Sequence, residues 1–170
     1  MENDLGPVGQ LGYVVNDLET AAWDWFEKTG IGPWTVIPHV TLDYFNYRGE
    51  SSNVEMGIAM AFSGSMQIEL IQQHNDAPSM YRDFLEVSGE GLQHVCFYPK
   101  NYDAALGFLL NQGMESIQDG AIRGMRFAYL AEDSRQVLEV GDIPDSVREN
   151  REKNIVASQK WDGTNPVQVY

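Results

Sequence analysis

Gln10-Leu-Gly-Tyr-Val-Val-Asn-Asp17-Leu, near the start of the chain, and His94-Val-Cys-Phe-Tyr-Pro-Lys-Asn101-Tyr, past its midpoint, are two versions of one pattern. Each opens a short apolar strand with a polar side chain able to hold a ligand. Each reaches Asp or Asn seven positions later, where a helix would be capped. Further on, each copy closes with a strand holding a lone Glu among aliphatics, Ile68-Glu69-Leu70 in the first and Leu138-Glu139-Val140 in the second. A duplicated unit that donates two polar groups per copy brings four groups to one shared centre.

Outward from these strands, Asp17 caps a helix through Trp23 and Phe26 that Thr29-Gly30 ends. Strands follow over Thr35–Val40 and Val54–Phe62, with a partly alternating stretch from Leu42 to Arg48 between them, and then over Gln67–Gln72. Pro78 and Ser79 lead into a connecting helix with Tyr81, Phe84 and Leu85 as its buried stripe. The second copy runs through a strand over Leu92–Tyr98 and a helix capped by Asn101. Three strands over Glu115–Gln118, Met125–Leu130 and Gln136–Val140 complete it, with turns at Asp119-Gly120 and Glu132-Asp133-Ser134. The fold class is α+β: two βαβββ modules forming curved mixed sheets around a central metal-binding cavity. Module one covers about 8–73, the connecting helix about 78–88 and module two about 91–143, together one unit over 8–143. The remainder, 144–170, reads as a surface helix and an irregular tail with Trp161 and Tyr170, loosely attached or packed on a neighbouring subunit.

The 170 residues are 43% hydrophobic, enough for a sizeable core. No apolar run approaches the ~20 residues that span a bilayer, and the first residues lack the features of a secretory signal. A single cysteine, Cys96, excludes an internal disulfide and fits a reducing cytoplasm. The formal charge of −14 speaks against nucleic acid and anionic membrane as partners, and against a strongly anionic ligand such as a coenzyme A thioester.

Successive strand side chains face opposite ways, so Glu69 and Glu139 turn from the aliphatics that pack on the helices toward the inside of the sheet. Gln10 and His94 do the same from the opening strands. Two buried carboxylates need compensation, and those strands offer little Lys or Arg; a divalent cation is the natural compensation.

The chain resembles the vicinal oxygen chelate superfamily, which includes glyoxalase I, methylmalonyl-CoA epimerase, extradiol dioxygenases and fosfomycin- or bleomycin-resistance proteins. The resemblance rests on Gln10-Leu-Gly-Tyr-Val-Val-Asn-Asp-Leu, Gln67-Ile-Glu69-Leu-Ile, Gly91-Leu-Gln-His94-Val-Cys-Phe and Val137-Leu-Glu139-Val. It implies Gln10, Glu69, His94 and Glu139 as metal ligands, with Zn, Ni, Co, Mn or Fe(II) as the ion and no nucleotide cofactor. It further implies a metal-dependent lyase, isomerase or epimerase that moves a proton α to a carbonyl through a metal-stabilised enediolate or enolate. Glu139 is then the base and Glu69 its counterpart.

The expected substrate is a small, apolar carbonyl metabolite, met by Trp34 and Tyr47 and, at the pocket mouth, by His74. Basic residues are few near the matched strands, with Arg48, Arg123 and Arg126 the nearest, which disfavours glutathione hemithioacetals. Gln10 disfavours the two-His, one-carboxylate iron site of a dioxygenase. The alternative from another class is a resistance protein that sequesters a hydrophobic molecule without turnover. A cytoplasmic homodimer with one complete site per chain is expected.

Overall fold

The computed structural model describes residues 5–132 and 136–170. Its elements run β1 (Val8–Val14), α1 (Leu18–Thr29), β2 (Trp34–Ile37), β3 (Tyr44–Tyr47), β4 (Glu50–Ser51), β5 (Met56–Ser63) and β6 (Met66–Gln73). They continue with α2 (Met80–Ser88), β7 (Gly91–Phe97), α3 (Tyr102–Asn111), β8 (Glu115–Ile122), β9 (Met125–Glu132), β10 (Gln136–Gly141), α4 (Asp145–Gln159) and β11 (Val167–Val169). All eleven strands form one curved, unclosed sheet in the order β11-β2-β5-β6-β1-β7-β10-β9-β8-β3-β4. The two βαβββ modules are its halves, β2-β5-β6-β1 and β7-β10-β9-β8, joined where β1 runs antiparallel to β7. The fold is the α+β architecture read from the repeat.

Local chemistry sets the helix ends as expected. Asp17, Ser79 and Asn101 each accept a hydrogen bond from the backbone N–H three residues on, and Gly30 closes α1 in the left-handed region. The outward aliphatics of the closing strands pack under the helices. Ile68 and Leu70 join Leu18, Ala22 and Trp34 beneath α1, whereas Val140 and Leu130 join Ala105 and Leu109 beneath α3. A third cluster lies on the concave face, where Tyr81 of α2 meets Val14, Ile71, Phe127 and Tyr129.

Two local expectations need correction. Asp119-Gly120 is no turn: β8 runs on to Ile122, and the chain reverses at Arg123-Gly124, both at positive φ. Gly120 serves packing instead, since a Cβ there would meet the Phe127 ring at 2.4 Å and Tyr44 O at 2.9 Å. Asp119 is held by the Asn46 Nδ2 donor at 2.9 Å, part of the pairing that carries the β3–β4 hairpin of the first module across to the edge of the second. The second correction concerns the C-terminal residues, which are anchored on their own chain. Strand β11 lies parallel to β2, and Trp161 packs against Phe26 at 5.7 Å between ring centres. The turn expected at Glu132-Asp133-Ser134 falls on residues 133–134, outside the described residues. No helix among the described residues is long and apolar enough to cross a membrane.

Candidate metal centre on the concave face

Strand register places the polar residues in two rows. Gly12 of β1 pairs with Glu69 of β6 on one side and His94 of β7 on the other. Cys96 of β7 pairs with Gln10 on one side and Glu139 of β10 on the other. The antiparallel β1–β7 seam thus crosses the two copies, so Glu69 sits level with His94 and Glu139 level with Gln10. Glu69, His94 and Glu139 each turn a ligand atom into the same space, all within 4.8 Å of one another. His94 Nε2 lies 3.0 Å from Glu139 Oε2 and 3.8 Å from Glu69 Oε2. All three belong to one chain. Gln10 is buried beside them, with its Nε2 donating to Gln67 Oε1 at 3.2 Å and its amide also bonded to Glu69.

Three neighbours fix the imidazole. Gly12 provides the space, because a Cβ there would stand 1.8 Å from His94 Cε1. Tyr129 packs edge-on against the ring at 4.9 Å, its own hydroxyl accepting from Tyr81 at 2.9 Å. Gln93 Oε1 accepts from His94 Nδ1 at 2.7 Å. This last contact depends on a break in β7: the register slips between Gly12 and Tyr13, so Gln93 is the extra residue of a bulge. Regular alternation would send Gln93 to the opposite face from His94.

The Nδ1 bond has an electrostatic consequence. An amide oxygen only accepts, so Nδ1 carries a proton and Nε2 is the ring nitrogen left to face the centre. Nε2 faces a carboxylate oxygen, and among the described residues neither His94 Nε2 nor Glu139 Oε2 has a hydrogen-bond partner although both are buried. Two buried polar atoms in contact without a hydrogen bond between them are satisfied when a cation joins them. The donor set of one imidazole and two carboxylates, with the Gln10 amide alongside, fits a divalent metal. Burial and the nearby Glu139 charge hold the Glu69 carboxyl well above the ordinary carboxylate range, opposed by the Arg151 charge and the Gln10 hydrogen bond.

A cavity of about 340 Å³ opens over this centre, with Gln10, Glu69 and Glu139 in its wall. Of the residues expected to meet substrate, none lines it. Trp34 is fully enclosed in the core under α1, because β2 turns that face to the helix. Tyr47 sits on the β3–β4 excursion at a separate groove, hydrogen-bonded to Asp83. The His74 ring is engaged with Pro38 O at 2.7 Å, while His39, tilted against it with ring centres 5.0 Å apart, is the histidine at the cavity.

The cavity also holds side chains that sequence reasoning passed over: Ile143 at the end of the second module and, above all, Val147 and Arg151 from the C-terminal segment. Only the surplus of polar residues after Pro144 hinted at the last two, and it gave no direction. Arg123 and Arg126, noted in the sequence as nearby basic residues, complete the rim.

Comparisons with known proteins place these features. No match to a curated protein sequence was found. A hypothetical protein, BH1468, from Bacillus halodurans C-125 superimposes with a TM-score of 0.61 at 17% identity, covering 81% of this chain and 94% of its own. Methylmalonyl-CoA epimerase from Mycobacterium tuberculosis gives 0.59 at 18% identity, covering 87% and 95%. A variant of Streptomyces coelicolor methylmalonyl-CoA epimerase in complex with 2-nitronate-propionyl-CoA gives 0.56 at 17% identity, covering 81% and 97%. At these identities the likeness is one of fold. The family model for the glyoxalase/bleomycin resistance protein/dioxygenase superfamily matches residues 9–129, and the chain belongs to that family.

Proposed function

We propose that the protein is a metal-dependent epimerase or isomerase that moves a proton at a carbon α to a carbonyl. The observation that carries this is the pair of carboxylates, Glu69 and Glu139, set at matching places of the two modules around one buried imidazole. His94 Nε2, Glu69, Glu139 and Gln10 would hold a divalent cation. When bound, that ion supplies Lewis-acid polarisation of a carbonyl oxygen, which acidifies the adjacent C–H.

The proton chemistry belongs to the side chains. Glu139 takes the α-proton from one side of the centre. Glu69, on the other side of the centre, returns a proton, so a stereocentre between the two is inverted. Gln93 holds His94 as the Nδ1–H tautomer throughout. The cavity wall of Ile37, Val40, Ile58 and Phe127 limits access of water. The epimerase names among the similar folds agree with this reaction class and motivate an acyl thioester among the first substrates tried.

The test is exchange of the α-proton in deuterated water, followed by NMR over a panel of branched acyl thioesters and oxo acids with Ni, Co, Mn or Zn supplied. Wild-type protein is expected to catalyse exchange. Glu139→Gln is expected to lose it by at least about 10²-fold, the usual contribution of a positioned acid or base. His94→Ala is expected to lose both exchange and stoichiometric metal by elemental analysis. Ligand binding without exchange in every metal form would favour a sequestering protein instead.

A further inference from the structure

Helix α4 lies beyond the residues matched by the family model, yet it forms part of the cavity wall. Arg148 fastens it, donating to Tyr98 O at 2.8 Å and Pro99 O at 2.5 Å. One turn on, Arg151 reaches into the cavity. Its guanidinium stacks over Tyr98 at 4.6 Å and lies 5.5 Å from the Phe62 ring centre. It donates to Gly9 O at 2.9 Å and to Gln67 Oε1. The Tyr98 ring fits there because Gly9 and Gly141 flank it: a Cβ on either would stand 2.7 or 2.8 Å from the ring.

Arg151 is unusual in its company. The chain carries 25 acidic residues against 11 basic ones, and Arg126 and Arg148 each have a carboxylate within ion-pair distance. Arg151 bonds only neutral oxygens among the described residues, and two bonds leave N–H donors to spare. Charge balance sharpens the point. A divalent cation held by Glu69, Glu139 and neutral His94 makes a centre of zero net charge, so Arg151 is left in excess. Arg126 is balanced by Asp103 and Asp142, and Arg123 adds a further positive charge at the mouth.

We infer that Arg151 is a specificity-determining residue which binds a carboxylate of the substrate, making the preferred ligand a small carbonyl acid. This deepens the reading of the site given above and rests on it. The planar guanidinium, held flat on Tyr98, suits a planar carboxylate better than a tetrahedral anion. Its anchor Gln67 lies two residues before Glu69 on the same face, a step of about 7 Å along a strand. That step sets the scale of the gap, and a linker of two or three carbons between acid group and reacting carbonyl approaches it once the oxygens at both ends are counted. The apolar metabolite expected from the scarcity of basic residues near the strands gives way, because the cation arrives from the C-terminal helix.

The probes are levulinate and its methyl ester, which differ only in the charge of the acid end, titrated against Ni²⁺-loaded protein by calorimetry and thermal shift. Ni²⁺ binding is measured first and separately. Wild-type protein is expected to bind levulinate about tenfold or more tighter than the ester, as fits a charge-assisted hydrogen bond. Arg151→Gln is expected to bind acid and ester within about threefold while holding Ni²⁺ at least as tightly as wild type, since a nearby positive charge is gone. Arg151→Lys, which keeps the charge and the fold, is expected to fall between them. Equal binding of acid and ester by wild type, binding of neither, or an undiminished preference in both variants overturns the assignment of Arg151. Failure of wild-type protein to bind Ni²⁺ overturns the metal reading itself.

Discussion

Because a Cβ on Gly12 would stand 1.8 Å from Cε1 of His94, any other residue at that position drives the imidazole away from Glu139. Gly12→Ala is expected to fold, at a cost of about 1–3 kcal/mol for overpacking, and to lose most of its metal affinity in a Ni²⁺ titration. Gln93 acts on the same ring from the other end. Gln93→Leu leaves Nδ1 unpaired and is expected to weaken metal binding about 10–100-fold, with Gln93→Glu restoring much of it. Glu69 links the site to pH. Its carboxyl keeps its proton in the folded, metal-free protein at pH values where the unfolded chain has lost it. The folded state then binds more protons, so its stability falls as pH rises from the ordinary carboxyl range toward the raised value. Urea denaturation of metal-free wild type and Glu69→Gln between pH 5 and 8 checks this. The difference should shift in favour of Glu69→Gln as pH rises, and a flat difference would sink the assignment.

At the scale of elements, the four strands that carry Gln10, Glu69, His94 and Glu139 were legible because alternation fixes which way a strand side chain points. The same rule hid Gln93, since only a bulge brings neighbours 93 and 94 to bear on one another, and nothing in Gly91-Leu-Gln-His94 announces it. Gly120 misled for a related reason: Asp-Gly is a turn signal, and close packing of Phe127 is a nonlocal cause. Arg151 was out of reach because its position depends on where α4 docks, which is decided by contacts with Tyr98 and Pro99 some fifty residues earlier. Strand β11 was equally hidden. It covers the edge of β2, with Trp34 N donating to Pro166 O at 2.7 Å and Tyr170 N to Val36 O at 2.9 Å. Ending the chain at Lys160 would uncover that apolar edge. Truncated protein is expected to self-associate in light scattering at concentrations where the full chain does not.

For the whole molecule, the two modules make one continuous sheet, so the centre at their seam couples to global stability. Metal bound only by the folded state at about one hundred times its dissociation constant adds about 2.7 kcal/mol. For a chain of this length, that raises the unfolding midpoint by about 5–10 °C. Calorimetry with and without a chelator measures the shift, and an unchanged midpoint for protein shown to have bound metal would mean that the unfolded chain holds the ion as tightly as the folded one.

The crossed register of β1 and β7 also implies a handedness. Gly12 and Cys96 occupy equivalent places in the two copies, but only the first is bare, so only the second copy's opening residue has room to be an imidazole. The asymmetry between Gln10 and His94 is therefore set by the residue opposite each. Exchanging both pairs, with Gln10→His and Cys96→Gly on one side and His94→Gln and Gly12→Cys on the other, would turn the centre around by half a revolution within an unchanged fold. The substrate would then meet its two carboxylates in reversed roles.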